Sequence, residues 1–267
     1  MKNALLYKKN MILNALALFA LLTCIPLLSH AAIFWEDGFE SGSTGYNLVG
    51  GMSYDSGRVR SGARSLKQTF LGNHIQGGTF TDRTFSKTEE LWSRFYFYFP
   101  SSFQVDAQSQ TKMMLQGEEC CYPSYWWGML FGAPNLTVQV QGIVLPNGSL
   151  DTINLYGAPI PRDQWVCIET HIKNNTPGVA NGIVQAWMNG ALALDRNDIA
   201  MRAASFNQNN SPTTGFTLNR LYVQYGGPGD LNYDDIAVGN TRIGCPGGNT
   251  QNTDTTPPLP PSGFTAR

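Results

Sequence analysis

Residues Trp165–Gly190, WVCIETHIKNNTPGVANGIVQAWMNG, alternate too regularly for a helix. Val166, Ile168, Thr170 and Ile172 fall between Trp165, Cys167, Glu169, His171 and Lys173, the period of a strand with one buried face. The polar run Asn174–Gly182 turns the chain. Ile183–Met188 is the predicted return strand, and Asn189-Gly190 is a favoured two-residue hairpin turn that launches a third strand over Ala191–Leu194. The stretch is therefore a long antiparallel ribbon. The polar face of its first strand carries Glu169, His171 and Lys173 in a row. His171 could act there as a base oriented by Glu169, but a polar outer face is the ordinary antiparallel pattern, and the row is assigned to the outside of the ribbon, facing solvent or the seam where Cys167 would form a disulfide.

The flanking sequence repeats this grammar. Trp92–Phe99, WSRFYFYF, sets Phe95, Phe97 and Phe99 against Trp92, Arg94, Tyr96 and Tyr98. An aromatic face that also carries Arg is unusual for bulk water. Thr111–Gln116 sets Met113 and Leu115 against Lys112, Met114 and Gln116; Leu136–Gln141 sets Leu136, Val138 and Val140 against Thr137, Gln139 and Gln141. Tyr125–Phe131 is a further strand, and Leu218–Tyr225 sets Leu221 and Val223 against Arg220, Tyr222 and Gln224. Short strands also read over Ile33–Gly42, Tyr54–Phe70, Gly77–Phe85 and Tyr233–Ile243. Many short alternating strands with Gly/Pro/Asn turns predict an all-β antiparallel sandwich or jelly roll. The 267 residues suffice for one such domain.

The chain opens on a targeting segment over residues 1–31. Lys2, Lys8 and Lys9 precede the apolar run Ala15–Leu28, and Ser29-His30-Ala31 is a small-residue cleavage site, so export with cleavage after Ala31 is expected. Of the 18 Lys and Arg, three lie in this segment, leaving 15 against 19 Asp and Glu, a net charge of about −4. That balance argues against nucleic acid as a partner. The folded domain is expected over residues 32–246. Residues 247–267 form a Pro/Thr/Gly-rich linker whose ending, TPPLPPSGFTA, resembles the lead-in to a fibronectin type III module. Cys120, Cys121, Cys167 and Cys245 remain after cleavage, an even number that reads as disulfides in an exported protein. Three pairings exist. The favoured one joins Cys167 to Cys245, and leaves open whether Cys120 and Cys121 form a vicinal ring or reach elsewhere.

Four segments together resemble a known family: the FWEDGFESG start, VRSGARSL, the WVCIETH…GIVQAWMNG ribbon, and the closing YDDIAVGNTRIGC. The chain is similar to the secreted fungal glucuronan lyases and a cellulose-induced fungal protein, within the concanavalin A-like jelly rolls. The resemblance covers about Ile33–Cys245. It implies two curved antiparallel sheets, a concave face that takes up a polysaccharide, and a structural Ca²⁺ held by Glu40, Ser61, Arg64 (through its carbonyl) and Asp234. Calcium wants several hard oxygens, which suits that set. Asp234, two residues before Ile236, is expected on the same inward face. The resemblance also supports the Cys167–Cys245 bridge.

Lyases of this kind cleave beside a uronic acid by β-elimination. A donor must neutralise the carboxylate, a base must take the C5 proton, and the leaving oxygen must be protonated. If the Phe, Val and Leu faces are core, the opposite faces offer Arg94 and Gln116 as carboxylate binders and Tyr222 or Lys112 as base. Tyr96, Tyr98, Gln139, Gln141 and Gln224 complete the groove, with Tyr125 and Trp127 stacking on sugar rings. The sequence departs from the family in YWWGMLF, where the fungal relatives carry His and Arg. The expectation is a secreted, monomeric polysaccharide lyase without a redox or nucleotide cofactor. A noncatalytic carbohydrate-binding jelly roll is the alternative.

Overall fold

A computed structural model describes residues 33–42, 48, 51–69, 79–103, 112–117, 126–132, 135–144, 150–200, 216–224 and 229–246. The expected leader, Cys120, Cys121, Tyr125 and the linker lie outside the described residues. Among those described there are fourteen strands and no helix. They are β1 Ile33–Asp37, β2 Met52–Asp55, β3 Ser65–Thr69, β4 Thr79–Thr88, β5 Glu90–Tyr98, β6 Lys112–Gly117, β7 Trp126–Gly132, β8 Asn135–Val144, β9 Leu150–Pro159, β10 Trp165–Lys173, β11 Gly182–Met188, β12 Ala191–Ile199, β13 Phe216–Gln224 and β14 Asp230–Gly239.

Two antiparallel sheets result. The eight-stranded sheet runs β12-β11-β10-β5-β14-β3-β2, with β1 also on β14; the six-stranded sheet runs β4-β13-β6-β7-β8-β9. Phe95, Phe97, Val166, Ile168 and Tyr233 of the first form one core with Met114, Leu136, Val138 and Leu155 of the second. The Tyr233 hydroxyl crosses that core to donate to the Met113 carbonyl, 2.6 Å away. A second polar link joins the sheets. The Gln116 carboxamide donates to Ser93 Oγ, which lies 2.8 Å from Thr170 Oγ1. All three are buried, so the network must satisfy itself.

The opening ribbon forms as its alternation predicts. β10 pairs with β11 from Ile168–Met188 to Lys173–Ile183. Asn189 (φ 50°) and Gly190 (φ 83°) adopt the left-handed conformations a tight hairpin turn needs. Cys167 and Cys245 are bonded, with Cα atoms 6.0 Å apart.

Two bulges overturn expectations about which residues share a face. In β6, the register shift between Lys112 and Met114 sets an extra residue against β7, and Met113, Met114 and Gln116 are all turned into the sandwich. In β14, the register slips between Asp234 and Ala237, with Asp235 at φ 46°. Tyr233 and Ile236 are both core, while Asp234 and Asp235 both face the opposite way. Asp234 therefore does not share the face of Ile236. A bulge inserts one residue, and alternation beyond it reverses.

Candidate functional site

The outer face of the eight-stranded sheet carries most of the polar side chains that look chemically active in the sequence. Glu169, on β10, is fully buried. Its Oε1 accepts from the backbone N–H groups of Ile243 (2.7 Å) and Gly244 (2.8 Å), and its Oε2 from Arg242 Nε (3.2 Å). The Arg242 guanidinium also lies 4.6 Å over the Trp187 ring. Beside it, His171 stacks on Trp92 at 4.0 Å, and its Nδ1 and Nε2 each lie 2.8 Å from Gln185 Oε1 and Glu90 Oε1. Lys173 Nζ reaches Glu90 at 3.0 Å. Neither nitrogen of His171 is left to act as a base. Of the two expected settings, solvent or the seam beside the disulfide, the row takes the second: Glu169 and His171 are covered, and Glu169 fastens the segment that carries Cys245.

Arg94, Tyr96 and Tyr98 lie on this same covered face. Arg94 Nε donates to the Asp235 carbonyl at 3.2 Å, holding the β14 bulge. Tyr96 donates to the Pro246 carbonyl at 2.5 Å, and the Arg60 guanidinium lies 3.9 Å over its ring. Burial pushes the Tyr96 phenol above its ordinary pKa, against the pull of Arg60 and Arg94. Arg58 stacks 4.2 Å over Tyr98. Gln116, by contrast, is locked between the sheets. The structure thus does not bring Arg94, Tyr96 and Tyr98 into one groove with Gln116, or either group with Tyr222. The aromatic face with an Arg is real, but its cover is the chain's own Arg58–Arg64 and Asn240–Pro246 segments.

The residues named for calcium gather on one loop. Glu40 accepts from the N–H groups of Ala63 (2.8 Å) and Arg64 (3.3 Å). Asp234 accepts from those of Arg60 (2.9 Å), Ser61 (3.3 Å) and Asp235 (2.9 Å). Ser61 Oγ donates to Asp235 at 2.8 Å, and Arg60 pairs with Asp235 at 2.7 Å. Asp234 is wholly buried, and desolvation, aided by the charge of Asp235, pushes its carboxyl up to about 6 despite the three N–H donors. Among the described residues no three His, Cys, Asp or Glu side chains group as a metal centre. The donor chemistry here is two carboxylates at the two ends of a loop, with hydroxyl and carbonyl oxygens between. That fits a hard cation, and a buried carboxylate short of positive charge fits it further.

The outer face of the six-stranded sheet is organised differently, and cross-strand register defines it. Leu221, Met114, Leu130, Val138 and Leu155 are successive partners in the inward row. The neighbouring rows lie on the opposite face, since alternate residues of a strand do. One contains Asp82, Arg220, Leu115, Met129, Gln139 and Asn154. The other contains Gln224, Lys112, Phe131, Thr137 and Tyr156. Tyr222 stands between Arg220 and Gln224 on β13, and Gln141 lies two residues beyond Gln139 on β8. The middle of this face is sheltered, with Leu115 2% and Thr137 5% exposed. Backbone register puts Lys112, Gln139 and Gln224 in these two rows, with Tyr222 and Gln141 each two residues along the strand from Arg220 and Gln139. Trp127 lies in a different row, where its backbone partners are Gln116 and Val140.

Two residues on this face were missed in sequence, Arg220 and Tyr156. Arg220 was legible, because LNRLYVQY alternates it with Tyr222 and Gln224. Arg94 outcompeted it only because its aromatic surroundings looked like a groove.

A family model described as polysaccharide lyase matches residues 37–225. A search of curated proteins finds no match to the sequence. Among solved structures, the chain is similar to the cellulose induced protein Cip1, at 18% identity and a TM-score of 0.55, covering 79% of this chain and 99% of that one. It is similar to an endo-β-1,4-glucuronan lyase from the fungus Trichoderma reesei, at 16% identity and a TM-score of 0.53 over 80% of this chain and 92% of that one. The alginate lyase vAL-1 from a Chlorella virus gives 12% identity and a TM-score of 0.54, over 76% and 96%. These likenesses carry the jelly-roll fold, and the family match covers most of the sandwich. The chain belongs to the polysaccharide lyase family.

Proposed function

We propose that the protein is a secreted lyase that cleaves a uronic-acid-containing glycan by β-elimination on the outward face of the six-stranded sheet. The observation that supports this reading is the backbone register, which aligns Arg220, Gln224, Lys112 and Gln139 in two rows that also hold the buried Leu115 and Thr137. In the elimination, a base removes the C5 proton, the electron pair forms the C4–C5 double bond, and the C4–oxygen bond breaks with protonation of the leaving oxygen. Negative charge grows on the uronate carboxyl as C5 is deprotonated, and a fixed cation there lowers the barrier. Arg220 takes that role, displacing Arg94 and Gln116, with Gln139 as a neutral donor in the same row. Tyr222, flanked by Arg220 and Gln224 on its own strand, is the base. Lys112, in the row of Gln224, donates to the leaving oxygen. Export is supported by the Cys167–Cys245 bridge, since disulfides persist in oxidising compartments.

Calcium belongs to this reading as a structural ion. Glu40 and Asp234, with oxygens of Ser61 and Arg64, would hold it, and the ion would supply positive charge to the buried Asp234 carboxyl. Those residues belong to the other sheet and its loops, apart from the residues assigned to the elimination.

The test is incubation of the purified protein with glucuronan, alginate and heparin-type glycans, following ultraviolet absorbance of the unsaturated uronate. Product from one of them is expected. No product from any, together with retention on an immobilised glycan, would assign the protein to noncatalytic carbohydrate binding instead.

A further inference from the structure

Tyr156 is the most exposed large hydrophobic side chain among the described residues, at 67%. A lone exposed tyrosine is ordinary; its place in the sheet is what singles it out. It sits on β9, the edge strand of the six-stranded sheet, and is the last member of the cross-strand row Gln224, Lys112, Phe131, Thr137, Tyr156. The row ends on the buried Thr137 and the exposed Tyr156 ring. Neighbouring strands lie about 4.8 Å apart, so Tyr156 stands roughly 14 Å from the Lys112 position and roughly 19 Å from β13. That is the reach of a glycan of about three to four sugar units laid across the strands.

The strand that bears the ring is held firmly. A Cβ added at Gly157 would lie 3.0 Å from the Ala193 carbonyl oxygen and 3.4 Å from that of Leu136. β9 is thus pressed against β12 of the opposite sheet at the very next residue, and glycine is what allows the approach. An exposed ring on an anchored edge strand binds with little ordering to do, because tyrosine has few rotamers to lose.

We infer that Tyr156 is a sugar-stacking platform at a distal subsite, and that the polysaccharide crosses the strands of the six-stranded sheet from β13 to β9. This rests on the placement of the site given above, and goes beyond it in fixing the direction of the chain and a subsite remote from the bond cleaved. The ring's flat apolar face meets the apolar face of a pyranose, while its hydroxyl stays in water.

The experiment compares wild type, Tyr156→Ala and Tyr156→Phe as full-length proteins. Affinity electrophoresis through glucuronan or alginate is run beside kinetics on polymer and on the shortest oligosaccharide cleaved. For Tyr156→Ala, retardation is expected to fall and the polymer KM to rise about tenfold, with kcat unchanged and the shortest substrate unaffected. Tyr156→Phe should behave as wild type. An unchanged polymer KM and retardation in Tyr156→Ala would overturn the inference. So would equal losses on polymer and shortest substrate, or no retardation of wild type by either polymer. Retardation that depends on Tyr156 in a protein that cleaves nothing would uphold the platform while refuting the lyase assignment.

Discussion

The outward faces of the two sheets differ in what their polar side chains are for. On the eight-stranded sheet, Glu169, His171, Arg94, Tyr96 and Asp234 are buried and bonded to neighbouring strands and to the chain's own loops. On the six-stranded sheet, backbone register aligns Arg220 with Gln139 and Lys112 with Gln224 in two rows that also hold the buried Leu115 and Thr137 and end on the exposed Tyr156. An arginine among tyrosines looks like a site in either place. What separates them is whether the chain itself supplies the partner. Charges buried against backbone N–H groups fasten loops, and a sheltered polar row on the other side is where a polymer can lie.

Breaking the fastened face should cost stability first. Glu169→Ala leaves the N–H groups of Ile243 and Gly244 and the Arg242 guanidinium without their acceptor. We expect a loss of about 3–5 kcal/mol in denaturant unfolding, with unchanged activity per folded molecule. Replacing both Cys167 and Cys245 by Ser should cost about 2–5 kcal/mol, by freeing a separation of 78 residues in the unfolded chain. A stability unchanged in either variant would mean that the 240–246 segment is not held as described. Gln116→Ala, which strips Ser93 and Thr170 of their third partner, should cost about 1–3 kcal/mol, whereas a kcat loss without a stability loss would return Gln116 to the catalytic set.

The smallest effect concerns Asp234. Its folded-state pKa is raised to about 6 from 3.8, so its favourable contribution is complete below the unfolded value and is lost as pH rises through about 6. In chelator, therefore, the melting temperature should rise by a few degrees between pH 7 and pH 5. Calcium at pH 7 should give a similar rise, and Asp234→Asn should abolish the response to both. A melting temperature indifferent to chelator would remove the proposed ion.

Legibility followed the local rules. The Asn189-Gly190 turn, the β10 alternation and the Cys167–Cys245 pair could be read because each depends on a few residues near in sequence or on a pairing rule. The bulges could not. Asp235 carries the left-handed φ of the β14 bulge, yet aspartate tolerates that conformation in many turns and signals nothing specific. The slip at Lys112/Met114 likewise has no sequence mark, and the alternation beyond it turns Gln116 to the core. Arg94 failed for another reason: alternation gives the face of a strand, not what will cover it. Tyr96 meets Arg60, 36 residues earlier, and Arg94 meets Asp235, 141 residues later.

The most direct test of where the chemistry lies compares Arg220→Ala and Tyr222→Phe with Arg94→Lys on the cleaved glycan, each checked for an intact fold. The account predicts that kcat/KM falls about 10²–10⁴-fold in the first two and stays within a few-fold of wild type per folded molecule in the third. A folded Arg94→Lys that is inactive, beside active Arg220→Ala and Tyr222→Phe, would place the site on the eight-stranded sheet and contradict it.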